Sequence, residues 1–154
     1  MSDSSFRMFE LHVQGFGCSQ VLMQMALEEQ GKSNTDLVRA MTGLLHGTNC
    51  GKLCGALTGG CCVLGLYAGK GAKDEQDDPN LDLMLHQFVG WFEAEYLSRY
   101  GSIECAGIIG EDPQSQLTRC PQIVAETFEK LRQILTKSQY NLSQGRSSGL
   151  EERS

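Results

Sequence analysis

The fifteen residues "CGALTGGCCVLGLYA", 54–68, carry no charge and no alternation of apolar with polar side chains. A half-buried strand alternates and is usually shorter, whereas an uncharged, unpatterned run of this length suits a helix buried on all sides. The segment therefore predicts a central helix, although glycine is a poor helix former. The rest of the chain has to wrap it.

The flanking segments carry the helical period. Residues 5–14 place Phe6, Phe9 and Val13 at helical spacing, which predicts a short helix. After "QGFG", Val21, Leu22, Met25 and Ala26 share one face of a second helix, ended by Gly31. Asn34 or Thr35 caps a third, carrying Leu37, Val38, Met41, Leu44 and Leu45 and stopped by Gly47. "GKGAKDEQDDPN" reads as a solvated loop. A long helix follows, with Leu81, Met84, Leu85, Phe88, Trp91, Phe92 and Tyr96 inward, and its aromatic content suits a homodimer face. Residues 102–119 read as irregular, with one helical turn near Cys105. The last helix starts at Cys120–Pro121 and buries Val124, Phe128, Leu131 and Leu135. No segment alternates as a strand, and there is no repeat or domain boundary. The expectation is an all-α chain, a compact single-domain bundle of about five or six helices over residues 1–141. Residues 142–154, poor in apolar side chains, are expected to be a disordered tail.

Composition narrows the function. At 154 residues the chain can bury roughly 70% of its unfolded surface, so it needs no staple to fold. A net charge of −6 argues against nucleic acid or an anionic membrane as partner. No apolar run reaches the roughly 18 residues of a spanning helix, so no membrane insertion is expected. The N-terminus lacks a secretory pattern, which places the chain in a reducing cytoplasm. Structural disulfides are uncommon there, and cysteine sets more often bind metal or perform redox work.

Seven cysteines fall unevenly on this map. Cys18, Cys54 and Cys120 stand at three expected helix starts, and Cys105 lies between Gly101 and Gly107. Unpaired backbone N–H groups at a helix start favour a thiolate, which is both nucleophile and metal ligand. Lowered thiol pKa values are therefore expected at Cys18, Cys54 and Cys120. Cys61 and Cys62, inside the apolar run, are expected to be buried and inert. Gly51, Gly55 and Gly59 recur every fourth residue. Such a row admits a second backbone or a flat cofactor at close range, so Gly55 and Gly59 are candidate cofactor contacts as well as packing positions.

The order Cys18, "CGALTG" (Cys54–Gly59), Cys105, Cys120 resembles the redox-active protein family named for its pattern C_GCAxxG_C_C, and "GFGCSQ" is similar to that family's opening. The likeness spans residues 5–135. It implies a small α-helical protein with four signature cysteines, related to the non-haem part of split-Soret cytochromes, where an iron–sulfur centre occurs. Cys50, Cys61 and Cys62 are additional to the pattern.

Other constellations carry less. His46, Cys50 and Cys54 are spaced by four, but Gly47 and Gly51 oppose the unbroken helix that would align them. There is no C-x-x-C, haem-attachment motif, P-loop or dinucleotide fingerprint. His12 and His86 have no evident partners, and Trp91 reads as a core anchor. The leading reading is a redox protein in which Cys18, Cys54, Cys105 and Cys120 converge on an iron–sulfur cluster, with zinc second, for electron transfer with a partner protein. A metal-free thiol/disulfide protein and a non-enzymatic helical interaction module are the alternatives.

Overall fold

The computed structural model describes residues 3–146. It is all-helical, with seven α-helices among these residues rather than five or six. They are α1 (Asp3–Val13), α2 (Cys18–Glu29), α3 (Thr35–Ala40), α4 (Gly55–Ala68), α5 (Leu81–Tyr100), α6 (Cys105–Ile109) and α7 (Gln114–Lys137). The only β pairing among the described residues is an isolated antiparallel bridge between Leu53 and Glu104. No described helix is long and apolar enough to cross a membrane.

The uncharged run forms α4, which packs against α2, α5 and α7. Leu64, Tyr67 and Ala68 are wholly buried there. Close approach to α2 depends on missing side chains. A β-carbon at Gly59 would lie 2.9 Å from the Cα and Cβ of Ser19. Ser19 is itself buried, and its hydroxyl donates to the Met41 carbonyl at 2.8 Å. On another side Gly60 receives the ring of Phe88. Phe88, Phe92 and Tyr96 continue as a buried aromatic file along α5, and half-buried Trp91 stacks on Phe88 with centroids 6.2 Å apart.

Just past α2 the chain turns at Gly31, and the Lys32 N–H reaches back to the Leu27 carbonyl at 2.9 Å and satisfies an end-of-helix acceptor. Asn34 caps α3, its Oδ1 accepting from the Leu37 N–H at 3.0 Å. The amphipathic segment that follows is not one helix. α3 is six residues long, a 3-10 turn covers Met41–Leu44, and a left-handed strap follows. In the strap His46, Gly47, Thr48, Asn49 and Gly51 all have positive φ. Gly47 has no substitute there, because a β-carbon would stand 2.3 Å from the Lys52 carbonyl oxygen.

Specific contacts set the surroundings of α1, of the loop after α4 and of residues 142–146. α1 turns Phe6, Phe9 and Val13 outward, at 56%, 58% and 70% exposure, and buries Met8 and Leu11. Its position is set by the Arg7 guanidinium on the Glu28 carboxylate as well as by apolar contact. The loop after α4 is not wholly solvated. Asp78 is buried, accepting from the Tyr140 hydroxyl and the Asn80 N–H. The expected tail at 142–154 starts against the body: the Leu142 carbonyl accepts from Tyr67, and Arg146 donates to the Gly69 carbonyl. The remainder of that expectation, 147–154, lies outside the described residues.

Candidate redox site

Cys18 is the first residue of α2. Its sulfur lies over the start of α4, where a β-carbon on Gly55 would be 2.6 Å from Cys18 Sγ. Cys54 caps α4 with an extended backbone (φ −53°, ψ 134°), and its carbonyl accepts from the Leu57 and Thr58 N–H groups. The bridge at Leu53–Glu104 joins this segment to the next cysteine: the Cys54 N–H donates to Ile103 at 3.0 Å, and the Cys105 N–H donates to Lys52 at 2.7 Å. Cys105 is the first residue of α6, and Gly51 lies against Ala106.

Cys120 is not where the sequence puts it. α7 begins at Gln114, so Cys120 lies inside the helix and Pro121 is an internal proline. Proline is tolerated in the first turn of a helix, and that preference made Cys120 look like a cap. The three thiols at helix starts are thus Cys18, Cys54 and Cys105. The glycine row is also divided. Gly51 belongs to the strap, whereas Gly55 and Gly59 meet Cys18 and Ser19 of α2, so their bare faces are taken by helix packing.

Burial raises the pKa of all four signature thiols. Burial pushes the Cys18 thiol up to about 12, and Cys54, Cys120 and Cys105 add to the rise against the opposing Ser19 backbone. Burial raises Cys54, with the Ala56 and Leu57 N–H groups opposing and Cys105 adding. Cys120 is pushed up to about 11 by burial, then by Cys54 and Cys105. Burial also raises Cys105. The expectation of lowered pKa values is therefore reversed. Desolvation and mutual repulsion outweigh the helix-start effect, which is worth only about 0.3–1 kcal/mol where exposed and up to about 2 where partly buried.

All seven thiols are free. Cys50 is exposed on the strap, and the positive φ values there confirm that His46, Cys50 and Cys54 do not share a helix face. Cys61 is half-buried and pushed up to about 11 by burial and by Cys62. Cys62, expected inside, is exposed on the outer side of α4. A single tetrahedral ion about 2.3 Å from each sulfur holds its ligands about 3.8 Å apart. Among the described residues no group of three or more His, Cys, Asp or Glu side chains is arranged to hold a metal ion.

Cys18 and Cys120 both open onto a cavity of about 460 Å3 between α1, the start of α2, Leu45–His46 and the start of α7. His12, left without a role by the sequence, lines it too.

A family model described as "Putative redox-active protein (C_GCAxxG_C_C)" matches residues 16–134, more than three quarters of the chain. No curated protein and no solved structure matches. The matched span holds all four signature cysteines, and the chain belongs to the redox-active C_GCAxxG_C_C family.

Proposed function

We propose that Cys18, Cys54, Cys105 and Cys120 act as one set that holds an iron–sulfur centre and passes electrons to a partner protein. The observation that carries this reading is the packing of the cysteine-bearing segments: Cys18 Sγ lies against Gly55 beside Cys54, and backbone hydrogen bonds pair the segments of Cys54 and Cys105. At neutral pH thiols raised this far are protonated, and protonated thiols are poor nucleophiles. That weakens the metal-free disulfide-exchange alternative. A bound cation inverts the balance, because it deprotonates its thiol ligands and cancels their repulsion. Four soft sulfur donors suit an iron–sulfur centre first and zinc second. When bound, such a centre supplies one-electron chemistry. The chain's own part is to fix the sulfurs: Gly55 leaves room for Cys18, and the Leu53–Glu104 bridge pairs the backbones that carry Cys54 and Cys105.

Anaerobic purification tests the reading. Iron and acid-labile sulfide, with a visible band lost in Cys18→Ser and Cys54→Ser but kept in Cys62→Ser, are expected. Colourless, iron-free protein that forms a disulfide among the four with a mild oxidant would overturn it in favour of thiol/disulfide chemistry. Protein with neither property would be the interaction module.

A further inference from the structure

Helix α5 has two sides, and the fold of one chain covers only one of them. Met84, Phe88, Phe92 and Tyr96 recur every fourth residue and are wholly buried. The aromatic residues whose content suits a homodimer face therefore belong to the core. The opposite side of α5 is exposed along its length, and it is apolar too. Leu83, Gly90 and Leu97 stand about two turns apart on one line, with Ala94 beside it. Leu83 and Leu97 are 57% and 48% exposed. A lone exposed leucine is ordinary, but a helix that is apolar on both sides calls for cover on both.

Gly90 is a second observation on the same face. It sits in the middle of a 20-residue helix, where glycine weakens the helix relative to alanine. A β-carbon there would meet nothing within 4 Å. Gly59 and Gly60, by contrast, make room for Ser19 and Phe88. Packing within one chain gives no reason for a glycine at 90, whereas the close approach of another backbone does. The residues around Gly90 say whose backbone it is. Leu83 and Leu97 lie seven residues to either side of it. His86 and Glu93, both exposed, share one flank of the line, four residues before Gly90 and three after it. Two copies laid antiparallel, with Gly90 on the two-fold axis, set Leu83 on Leu97 of the second copy and His86 beside its Glu93. Symmetry makes each of these pairs twice, and the residue that meets itself on the axis is the one without a side chain. A parallel pair would set Glu93 against its own copy, and like charges so placed repel.

We propose that the outer face of α5 is the contact between two copies of this chain, packed antiparallel about Gly90. In that arrangement the His86 imidazole donates an N–H to the Glu93 carboxylate of the second copy, and the four leucines close over the two glycines. A 20-residue helix is about 30 Å long, so the contact is small among stable interfaces and a dimer of micromolar affinity follows. The contact uses neither metal nor thiol, so it stands or falls apart from the function proposed above.

Sedimentation velocity of the intact chain tests this, with reductant present so that exposed Cys50 and Cys62 cannot cross-link. A monomer is expected at about 1 µM and a dimer at about 100 µM. Gly90→Lys should leave a monomer at both concentrations. Its urea midpoint at the lower concentration should hold or rise, because lysine is the better helix former and its side chain has open space. Loss of the dimer in that variant is then not loss of the fold. Glu93→Lys and His86→Glu should each raise the dissociation constant about tenfold, and the two together should restore it, since the pair is then reversed in sign. Leu117→Asp, in the groove between α1 and α7, should leave the dimer unchanged. A parent chain still monomeric at about 100 µM would leave α5 to a different protein and overturn the inference. A dimer that survives Gly90→Lys would place the contact elsewhere and overturn it too. So would a double variant no tighter than its singles, because His86 and Glu93 would then not face each other across the axis.

Discussion

A β-carbon at position 55 would stand 2.6 Å from Cys18 Sγ and 2.9 Å from the Leu44 carbonyl oxygen. The carbonyl is backbone and cannot swing aside, so Gly55→Ala should cost about 1–3 kcal/mol, read as a lower urea midpoint, and should displace Cys18, read as a changed alkylation rate. A variant as stable as the parent would mean that α2 and α4 do not pack this closely. The thiols make a second prediction, for the metal-free chain. A thiol with a higher pKa in the folded state than in the unfolded state stabilises the fold while protonated. That contribution is whole below the unfolded value of 9.0 and is lost as the pH climbs through the folded values, about 12 for Cys18 and about 11 for Cys120 and Cys61. Denaturation midpoints should therefore hold between pH 7 and 9 and fall above 9, and Cys18→Ser should flatten the fall. At this scale the sequence told which cysteines belong to the family pattern but not their protonation. Helix starts are visible in a sequence; the desolvation that outweighs them depends on what packs over each sulfur.

Among the elements, α7 holds the most informative departure. Pro121 brings no N–H to the helix, so the Leu117 carbonyl one turn earlier loses its intrahelical donor. The turns before it, which carry Leu117 and Cys120, are coupled to the rest of α7 more weakly than an unbroken helix would allow. Pro121→Ala should slow amide hydrogen exchange across residues 114–120 while leaving 122–137 nearly unchanged. Equal protection in the parent and the variant would show that α6 already holds this segment. The sequence gives α2, α4 and α5 nearly at their observed limits, since their apolar periods are long and their ends are marked by glycine or a polar cap. α1 was legible as a helix but not in its orientation. Apolar spacing puts Phe6, Phe9 and Val13 on one face but does not say whether the same chain covers that face, and here it leaves it exposed. The strap at 46–51 was illegible, because only Gly47 and Gly51 in it announce a left-handed backbone, whereas His46, Thr48 and Asn49 adopt one as well.

Over the whole molecule, the ends of the described chain are tied to its middle. The Tyr140 hydroxyl reaches buried Asp78, and Arg146 reaches the carbonyls of Gly69 and Gln76, so the segment after α7 closes the loop after α4. Tyr140→Phe should remove one hydrogen bond to a charged group and cost about 1–3 kcal/mol, with faster proteolysis within residues 69–80 as the local readout. An unchanged cleavage rate would place the closure elsewhere. None of this was legible beforehand, because the contacts join residues more than sixty positions apart through polar atoms that leave no periodic trace. The same wide spacing governs the thiol set. Its members come from positions 18, 54, 105 and 120, and the backbone pairing that joins Cys54 to Cys105 spans half of that distance. A chain emerging from the ribosome presents only three of the four until position 120 has cleared the exit tunnel. The set is therefore whole only once all four segments have emerged, so any ligand that needs all four thiols must wait for the last of them.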